Sequence, residues 1–185
     1  EAAAATQPDG IIVSLPDAAA LGPAIKAAVS DGVPVITINS GLESSAELGA
    51  LMHVGQPERL AGEKAGQRAA AEGVTNGLCL NQESFNTALV DRCTGYFDGI
   101  GGDLNMIDVS NDPTQIETRT AAALQADESI NGVLAVGPHV CEAATKAIEA
   151  VGADVHLACF DLSPGVMDMI QDGRAAFTID QQQRL

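Results

Sequence analysis

The sequence lacks most of the residues on which nucleic-acid and membrane binding depend. It has no tryptophan and only 3% aromatic residues, and its 9 basic residues are outnumbered by 25 acidic ones, which gives a net charge of -16. Such a surface repels phosphate backbones, and no lysine or arginine cluster offsets this repulsion. No apolar run approaches the roughly 20 residues of a membrane-spanning helix. We therefore expect no nucleic-acid partner.

Several catalytic and metal-binding motifs are also absent. The chain has no phosphate-binding loop of the form G-x-x-x-x-G-K-[ST], no G-x-S-x-G nucleophile elbow and no Cys-x-x-Cys pair. The histidines, His53, His139 and His156, lack metal-ligand spacing. His53 and His156 lie inside apolar strands, where a hydrogen-bonded structural role is the commoner one. We predict no metal and no cofactor.

The four cysteines leave two interpretations open. Cys79 and Cys93 are close in sequence, as are Cys141 and Cys159, and an even count at similar spacings suits two local disulfides in an oxidising compartment. Four buried free thiols are the alternative, since cysteine is among the most buried residue types.

Strand and helix patterns alternate along the chain. Almost wholly apolar segments such as GVLAVG and VHLACF are separated by segments whose apolar residues recur at helical spacing. Apolar strands of this kind are covered on both faces, as in parallel sheets, and the alternation indicates right-handed βαβ units. We predict an α/β fold with doubly wound parallel sheets flanked by helices. Two sheets are favoured over one, divided near Gly55 and Gln56.

Polar residues stand at the predicted carboxyl ends of the strands, where open α/β sheets bind ligands. Hydroxyl-rich ligands require such groups, because each hydroxyl both donates and accepts hydrogen bonds. For any single residue a cap or turn role is the simpler interpretation, and Ser163 and Asp112 fit it well. Collectively the pattern favours a ligand site. The strand-end residues are Ser14, Asn39–Gly41, Gly55–Gln56, Asn81–Glu83, Ser110–Asp112, Gly137–His139, Asp161 and Asp180–Gln181.

The segment HLACFDLSPGV ends a buried strand on Asp161 and then starts a capped helix. Haloacid-dehalogenase-like phosphatases present a nucleophilic aspartate in this way, and a second aspartate two residues later protonates the leaving group. Ser163 stands at that position here, so the acid is missing. This enzymatic interpretation is therefore disfavoured.

Three segments carry a family resemblance: PDGIIVSLPDAAALGPAIKAAVSDGVPVITINS, HVGQPERLAGEKAG and FDLSPGVMDMIQDGRAAFTIDQQ. Through them the chain resembles periplasmic sugar-binding proteins of the ribose-binding type over essentially its whole length. FDLSP together with IDQQ is the most specific part. Such proteins have two lobes. The resemblance implies that residues 1–55 are part of an incomplete first lobe, 56–181 the second lobe and 182–185 a hinge remnant, so that the chain is a fragment.

The resemblance also implies a set of ligand contacts. Asp161 would accept hydrogen bonds from sugar hydroxyls, and Arg92 on a helix would donate to them. Gln181 beside the hinge, Asn39 and Ser14 occupy further contact positions. A site in which every ligand hydroxyl is hydrogen-bonded discriminates strongly against ligands that lack one.

Two positions depart from the family pattern. Gly137 stands where many members have an asparagine, and His139 would supply the missing contact. Ser40 replaces a common arginine, which argues against ribose-like specificity. Without the resemblance, Arg92 would be interpreted as a surface residue paired with Asp91 or Glu83.

The resemblance implies a solute-binding protein that captures a neutral sugar or polyol between two lobes for ABC-type import. Such a protein is not an enzyme. Its partners would be that ligand, the membrane permease of the importer and a chemoreceptor, and its location would be periplasmic or extracellular. The alternative is the ligand-sensing core of a lac-repressor-type transcription regulator, which shares this architecture and needs a basic helix-turn-helix segment upstream. The four cysteines and the few basic residues favour the exported protein.

Overall fold

The computed structural model describes residues 2–181. Their contacts divide the chain into two compact units: the first runs to Pro57 and includes Phe85–Ala88, and the second comprises Glu58–Ser84 and the residues from Leu89 onward. The assignment of lobes to residues 1–55 and 56–181 stays a prediction. The predicted hinge remnant, 182–185, lies outside the described residues. No helix of the described part is long and apolar enough to cross a membrane.

The first unit is built on a parallel sheet of three strands in the order β1-β2-β3. Helix α2 begins after Asp17, whose carboxylate accepts a hydrogen bond from the Ala20 N–H at 2.9 Å. The polar segment 40–50, predicted as a loop, contains the short helix α3. In chain order the elements are α1 (Ala2–Ala5), β1 (Ile11–Ser14), α2 (Ala18–Ser30), β2 (Val35–Ile38), α3 (Leu42–Ser45) and β3 (Met52–Val54).

The two faces of this sheet differ in burial. One face packs on α2 and α3 around a small apolar core that includes Leu15, Val35 and Leu48. On the opposite face, Ile12, Met52 and Val54 are each more than half exposed.

The second unit is built on a parallel sheet of five strands in the order β5-β4-β6-β7-β8. Two separate parallel sheets, each flanked by helices, confirm the predicted fold class. In chain order the elements are α4 (Glu58–Ala71), β4 (Gly77–Asn81), α5 (Thr87–Ile100, of which the first two residues belong to the first unit), β5 (Met106–Asp108), α6 (Pro113–Ala126), β6 (Gly132–Ala135), α7 (Pro138–Val151), β7 (His156–Phe160), α8 (Pro164–Gln171) and β8 (Phe177–Ile179).

Alternate residues of the central strands enter two different cores, as the apolar sequence pattern predicts. In β7, Leu157 and Cys159 pack into the core beneath α6, α7 and α8, whereas Ala158 and Phe160 pack into the core beneath α4 and α5. Every residue of β4 and β6 is buried. Helices therefore cover both faces of this sheet.

Helix starts on the carboxyl side of the strands are capped as predicted. The Asp112 carboxylate accepts a hydrogen bond from the Gln115 N–H at 2.9 Å, and the Ser163 hydroxyl accepts one from the Val166 N–H at 3.0 Å. Each cap is followed by a proline in the first turn, where its missing N–H costs nothing.

The cysteines form two disulfides, one on each face of the five-stranded sheet. Cys79 of β4 is joined to Cys93 of α5, with Cα atoms 5.7 Å apart, and Cys141 of α7 is joined to Cys159 of β7, with Cα atoms 5.8 Å apart. The disulfide interpretation of the sequence is therefore the one that the structure supports. Each bridge links a strand and a helix that are consecutive in the chain, β4 with α5 and α7 with β7.

Helices α4 and α5 approach each other through glycines. A Cβ atom on Gly62 of α4 would overlap the carbonyl oxygen of Arg92, and one on Gly95 of α5 would overlap the carbonyl oxygen of Arg59. Gly66 and Gly99, one turn further along each helix, meet backbone atoms of the other helix in the same way. Only glycine allows two helix backbones to come this close.

Candidate functional site

The carboxyl ends of neighbouring strands form the candidate site of the second unit. Gly137 follows β6, Asp161 follows β7 and Gln181 lies just after β8, and these strands are adjacent in the sheet. Arg92 reaches the same edge from α5, where its Nη1 donates to the carbonyl oxygen of Val136 at 3.0 Å. The structure thus brings four of the predicted ligand residues to one edge of one sheet.

The backbone and side chain of Asp161 are both held in place. Its N–H donates to the Ile179 carbonyl at 2.8 Å, and its own carbonyl accepts from the Thr178 hydroxyl at 2.7 Å. Its φ of 66° is left-handed, a conformation that aspartate tolerates better than most residues. One carboxylate oxygen accepts from Gln181 Nε2 and the other lies 3.6 Å from Arg92 Nη1, yet 32% of the side chain is exposed.

The guanidinium of Arg92 is buried within the second unit. Glu58 engages it in a bidentate pair, with Nε–Oε2 and Nη2–Oε1 distances of 2.7 and 3.0 Å. Its Cζ lies 4.4 Å from the centre of the Phe160 ring. Arg92 is only 4% exposed, so its interpretation as a surface residue is wrong. The part of the guanidinium nearest to the sheet edge is Nη1.

Glu58 is the residue of this cluster that sequence reasoning missed. It stands at the start of α4, where an acidic residue is expected simply because it interacts favourably with the helix dipole. Its side chain is 5% exposed and its partner is 34 residues away in sequence. No local pattern links the two. The only available signal is the pair of glycines, Gly62 and Gly95, that lets the two helices approach.

Gly137 and His139 have different surroundings. A Cβ atom on Gly137 would lie 3.1 Å from Gln82 Nε2, so this side chain occupies the space beside the glycine. His139 Nε2 is 3.0 Å from Oδ1 of Asn111, which follows β5. The ligand contact assigned to His139 stays a prediction.

Ser14 and Asn39 lie at the corresponding edge of the first unit. Ser14 is the last residue of β1, and its register partner Ile38 is the last residue of β2, immediately before Asn39. The Asn39 N–H donates to the Val54 carbonyl at 3.0 Å, and its φ of 62° turns the chain away from the strand. Asn39 is exposed, so its amide is accessible from solvent.

Both strand histidines are hydrogen-bonded, as the sequence suggests. His53 Nδ1 lies 2.9 Å from the Thr37 hydroxyl in the first unit. In the second unit, His156 Nε2 lies 2.6 Å from Oε2 of Glu72, at the amino end of β7 and thus at the sheet edge opposite Asp161. The hydrogen bond from His156, and after it the one from Arg68, holds the pKa of the Glu72 carboxyl below its ordinary value.

We expect Glu72→Gln to reduce the acid sensitivity of the fold. Because the pKa of Glu72 is lower in the folded than in the unfolded chain, its stabilisation is complete above the ordinary value of 4.5 and is lost as the pH falls through the folded-state pKa. Exposed pairs contribute about 1 kcal/mol or less. The difference in melting temperature between wild type and variant should therefore shrink as the pH falls below the ordinary pKa of 4.5.

Glu128→Gln is the matched control, since it makes the same change at an exposed loop position of the same unit. Melting curves recorded between about pH 7 and pH 3 test the prediction. Parallel profiles for wild type and Glu72→Gln over the whole range would contradict it.

The described part of the chain contains no cluster of metal-ligating side chains. Among residues 2–181, no group of three or more histidine, cysteine, aspartate or glutamate side chains is placed to hold one. The polar side chains described at this edge of the second sheet are the carboxylates of Glu58 and Asp161, the guanidinium of Arg92 and the carboxamides of Gln82 and Gln181.

Comparison with known proteins gives one family. The model of a family described as periplasmic binding protein domain matches residues 1–185. None of the curated protein sequences compared with the chain matches it.

Solved structures resemble the chain closely. A carbohydrate transporter from Acidothermus cellulolyticus 11B in complex with myo-inositol is 37% identical with a TM-score of 0.93, and the match covers 98% of this chain and 64% of that one. An ABC sugar transporter protein from Legionella pneumophila, described as a periplasmic sugar-binding protein, is 21% identical with a TM-score of 0.88, covering 98% and 70%. An ABC transporter solute-binding protein from Agrobacterium vitis with bound D-fucose is 22% identical with a TM-score of 0.81, covering 95% and 63%.

Proposed function

The chain belongs to the family of periplasmic binding protein domains, and from this premise we propose that its protein captures a neutral sugar or polyol without converting it chemically. The observation that carries the proposal is the Asp161 carboxylate. It is oriented by Gln181 and Arg92 and is still partly exposed at the strand ends. A carboxylate held in this way accepts charge-assisted hydrogen bonds from hydroxyl groups.

The charges of the cluster favour a neutral ligand. Arg92 carries one positive charge, and Glu58 and Asp161 carry one negative charge each, so the group has an excess of one negative charge. A phosphorylated sugar would meet this carboxylate without a free cation in the cluster to offset it, because Glu58 already holds the guanidinium. Neutral hydroxyls have no such penalty, and they can both donate to Asp161 and accept from Arg92.

Cyclic polyols are the first candidates for the ligand. The relative from Acidothermus cellulolyticus 11B, which is 37% identical, was solved in complex with myo-inositol. This chain spans 64% of the length of that relative, so its ligand supports the proposal without defining it. Gly137, His139, Ser14 and Asn39 are proposed as further contacts.

Export and delivery complete the proposal. The two disulfides support an oxidising compartment, periplasmic or extracellular, and they argue against a cytosolic transcription regulator. In that setting the loaded protein would deliver its ligand to the membrane permease of an ABC importer, and a chemoreceptor is a second proposed partner.

A thermal-shift screen tests the proposed function. A ligand present at 100 times its dissociation constant adds about 2.7 kcal/mol of stability, so the panel should contain neutral sugars and polyols, phosphorylated sugars and purines. A shift with one or two related neutral compounds is the expected result. Shifts confined to the phosphorylated sugars or purines would overturn the proposal in favour of a transcriptional sensor.

Asp161→Ala is expected to weaken binding of the neutral ligand found in that screen by about 30-fold, which corresponds to roughly 2 kcal/mol for lost charge-assisted hydrogen bonds. Arg92 keeps its bidentate partner Glu58 in this variant, so the fold should survive. Asp154→Ala, at an exposed position in the same unit, is the control. Isothermal titration calorimetry measures both, and wild-type affinity for Asp161→Ala would remove Asp161 from the site.

A further inference from the structure

Gln82 lies at the same sheet edge as the residues described above. It follows Asn81, the last residue of β4, and β4 is the neighbour of β6 in the sheet. Its amide is packed beside Gly137, the residue two positions after the end of β6. Arg92 contacts the carbonyl of Val136, immediately before that glycine. Gln82 and Arg92 thus both reach the end of β6.

The side-chain oxygen of Gln82 has no partner. Within residues 2–181, Oε1 is buried and accepts no hydrogen bond. Buried polar atoms are nearly always satisfied, because desolvation without a partner is costly. The neighbouring amide behaves differently: Asn81 Oδ1 accepts from the Glu83 N–H at 2.8 Å and so serves the turn itself. The acceptor on Gln82 is thus left unsatisfied by the described residues.

Gly137 provides the space in which Gln82 sits. Its φ of -166° is extended backbone that any residue adopts, so the conformation does not require glycine. The neighbouring amide does restrict the residue, since a Cβ atom would stand only 3.1 Å from Gln82 Nε2. A larger side chain at this position would displace the amide from the strand end.

The spacing of the strands matches a six-membered ring. β4 and β7 are separated by one strand, β6, and two strand spacings amount to about 10 Å. A hydroxylated ring between the two ends would face Asp161 and Gln181 on one side and Gln82 on the other. Gln82 carries both donors and an acceptor, which suits a hydroxyl.

We propose that Gln82 is a ligand-contacting residue that determines specificity by recognising a hydroxyl on the side of the ring remote from Asp161. It takes the place of the side chain that Gly137 lacks. This inference rests on the proposed function, since it assumes a neutral polyhydroxylated ring as the ligand.

The test compares Gln82→Met with wild type in the full-length protein. Methionine has nearly the same length and volume but no hydrogen-bonding group at its end. Gln67→Met, on the exposed face of α4, is the matched control. Isothermal titration calorimetry is run with myo-inositol, or with the neutral sugar that shifts the wild-type protein most strongly, and with analogues of that probe that each lack one hydroxyl.

We expect Gln82→Met to bind the probe at least tenfold more weakly while its melting temperature without ligand is unchanged or higher. We also expect wild type and Gln67→Met to bind one deoxy analogue at least tenfold more weakly than the probe. Gln82→Met should bind that analogue and the probe with equal affinity. That loss of discrimination at a single hydroxyl distinguishes direct contact from a general disturbance of the site.

Three results would overturn the inference in distinguishable ways. If wild type binds the probe and Gln82→Met matches both its affinity and its discrimination, Gln82 is not a contact and the proposed function stands. If wild type binds no neutral sugar or polyol, the proposed function fails and takes the inference with it. A variant that is weaker against every analogue by the same factor would assign Gln82 a structural role only.

Discussion

Replacing Glu58 with alanine is expected to lower the free energy of unfolding by about 3–5 kcal/mol, the usual result of removing one partner of a buried ion pair. Arg92 would remain buried with the Val136 carbonyl, and its nearest remaining carboxylate, on Asp161, lies 3.6 Å away. Denaturation in urea with and without ligand measures the effect. Sugar affinity should fall as well, because a guanidinium released by Glu58 can move towards Asp161 and occupy the acceptor that the ligand uses.

Asp98→Ala is a close control for this variant. Asp98 on α5 pairs with Arg59 on α4 at 2.8 Å, so this pair joins the same two helices as the Glu58–Arg92 pair does. The side chains of both Asp98 and Arg59 are largely exposed. Removing an exposed partner should cost about 1 kcal/mol or less. Equal losses for Glu58→Ala and Asp98→Ala would show that burial of the Glu58–Arg92 pair is energetically unimportant.

The double variant Glu58→Met/Arg92→Met separates stability from binding. Apolar residues of similar volume commonly replace a buried ion pair without loss of stability. We therefore expect its free energy of unfolding to be closer to wild type than that of Glu58→Ala, while its affinity for the ligand stays low because the Nη1 donor is gone. Recovery of both properties would exclude Arg92 from the binding site.

Gly95→Ala is the second variant with a large expected effect. The added methyl group would overlap the carbonyl oxygen of Arg59, and a backbone atom cannot rotate away as a side chain can. Helices α4 and α5 must then separate, which we expect to lower the free energy of unfolding by about 3 kcal/mol, the upper part of the range for overpacked cores. The gain in helix propensity, about 1 kcal/mol at an interior position, acts in the opposite direction and is smaller.

Gly102→Ala provides the comparison for this variant. It lies just past the end of α5, its nearest contact would be 3.7 Å from the new methyl group, and we expect a change within about 0.5 kcal/mol. Urea denaturation of both variants measures the difference. A Gly95→Ala protein as stable as wild type would mean that the helices adjust without cost, contrary to the close approach seen here.

Local sequence signals are sufficient to predict most of the fold. Periodicity identifies the strands and helices because it depends on neighbouring residues, and Asp112 and Ser163 are recognised as caps for the same reason. Helix α3 escapes prediction because its four residues, LESS, are too few to show a helical period. The edge of the sheet that carries Asp161 follows directly from the parallel topology.

The partners of a buried charge are much harder to predict. Asp91 and Glu83 are the obvious sequence neighbours of Arg92, yet Glu58 forms its bidentate pair from another helix. That choice depends on how α4 packs on α5, which is a long-range property. Gln82 illustrates the same limit, because the sequence places it at a strand end but does not reveal that its amide oxygen lacks a partner.

The order of the cysteines in the chain has a consequence for how the two disulfides form. Cys79 and Cys93 both precede Cys141 and Cys159 in the chain, so the first pair is synthesised before the first cysteine of the second pair is added. In the proposed oxidising compartment, a chain that emerges from its amino end exposes Cys93 to Cys79 before Cys141 and Cys159 have emerged. Vectorial synthesis by itself favours the native pairing over the crossed alternatives, before any isomerase acts.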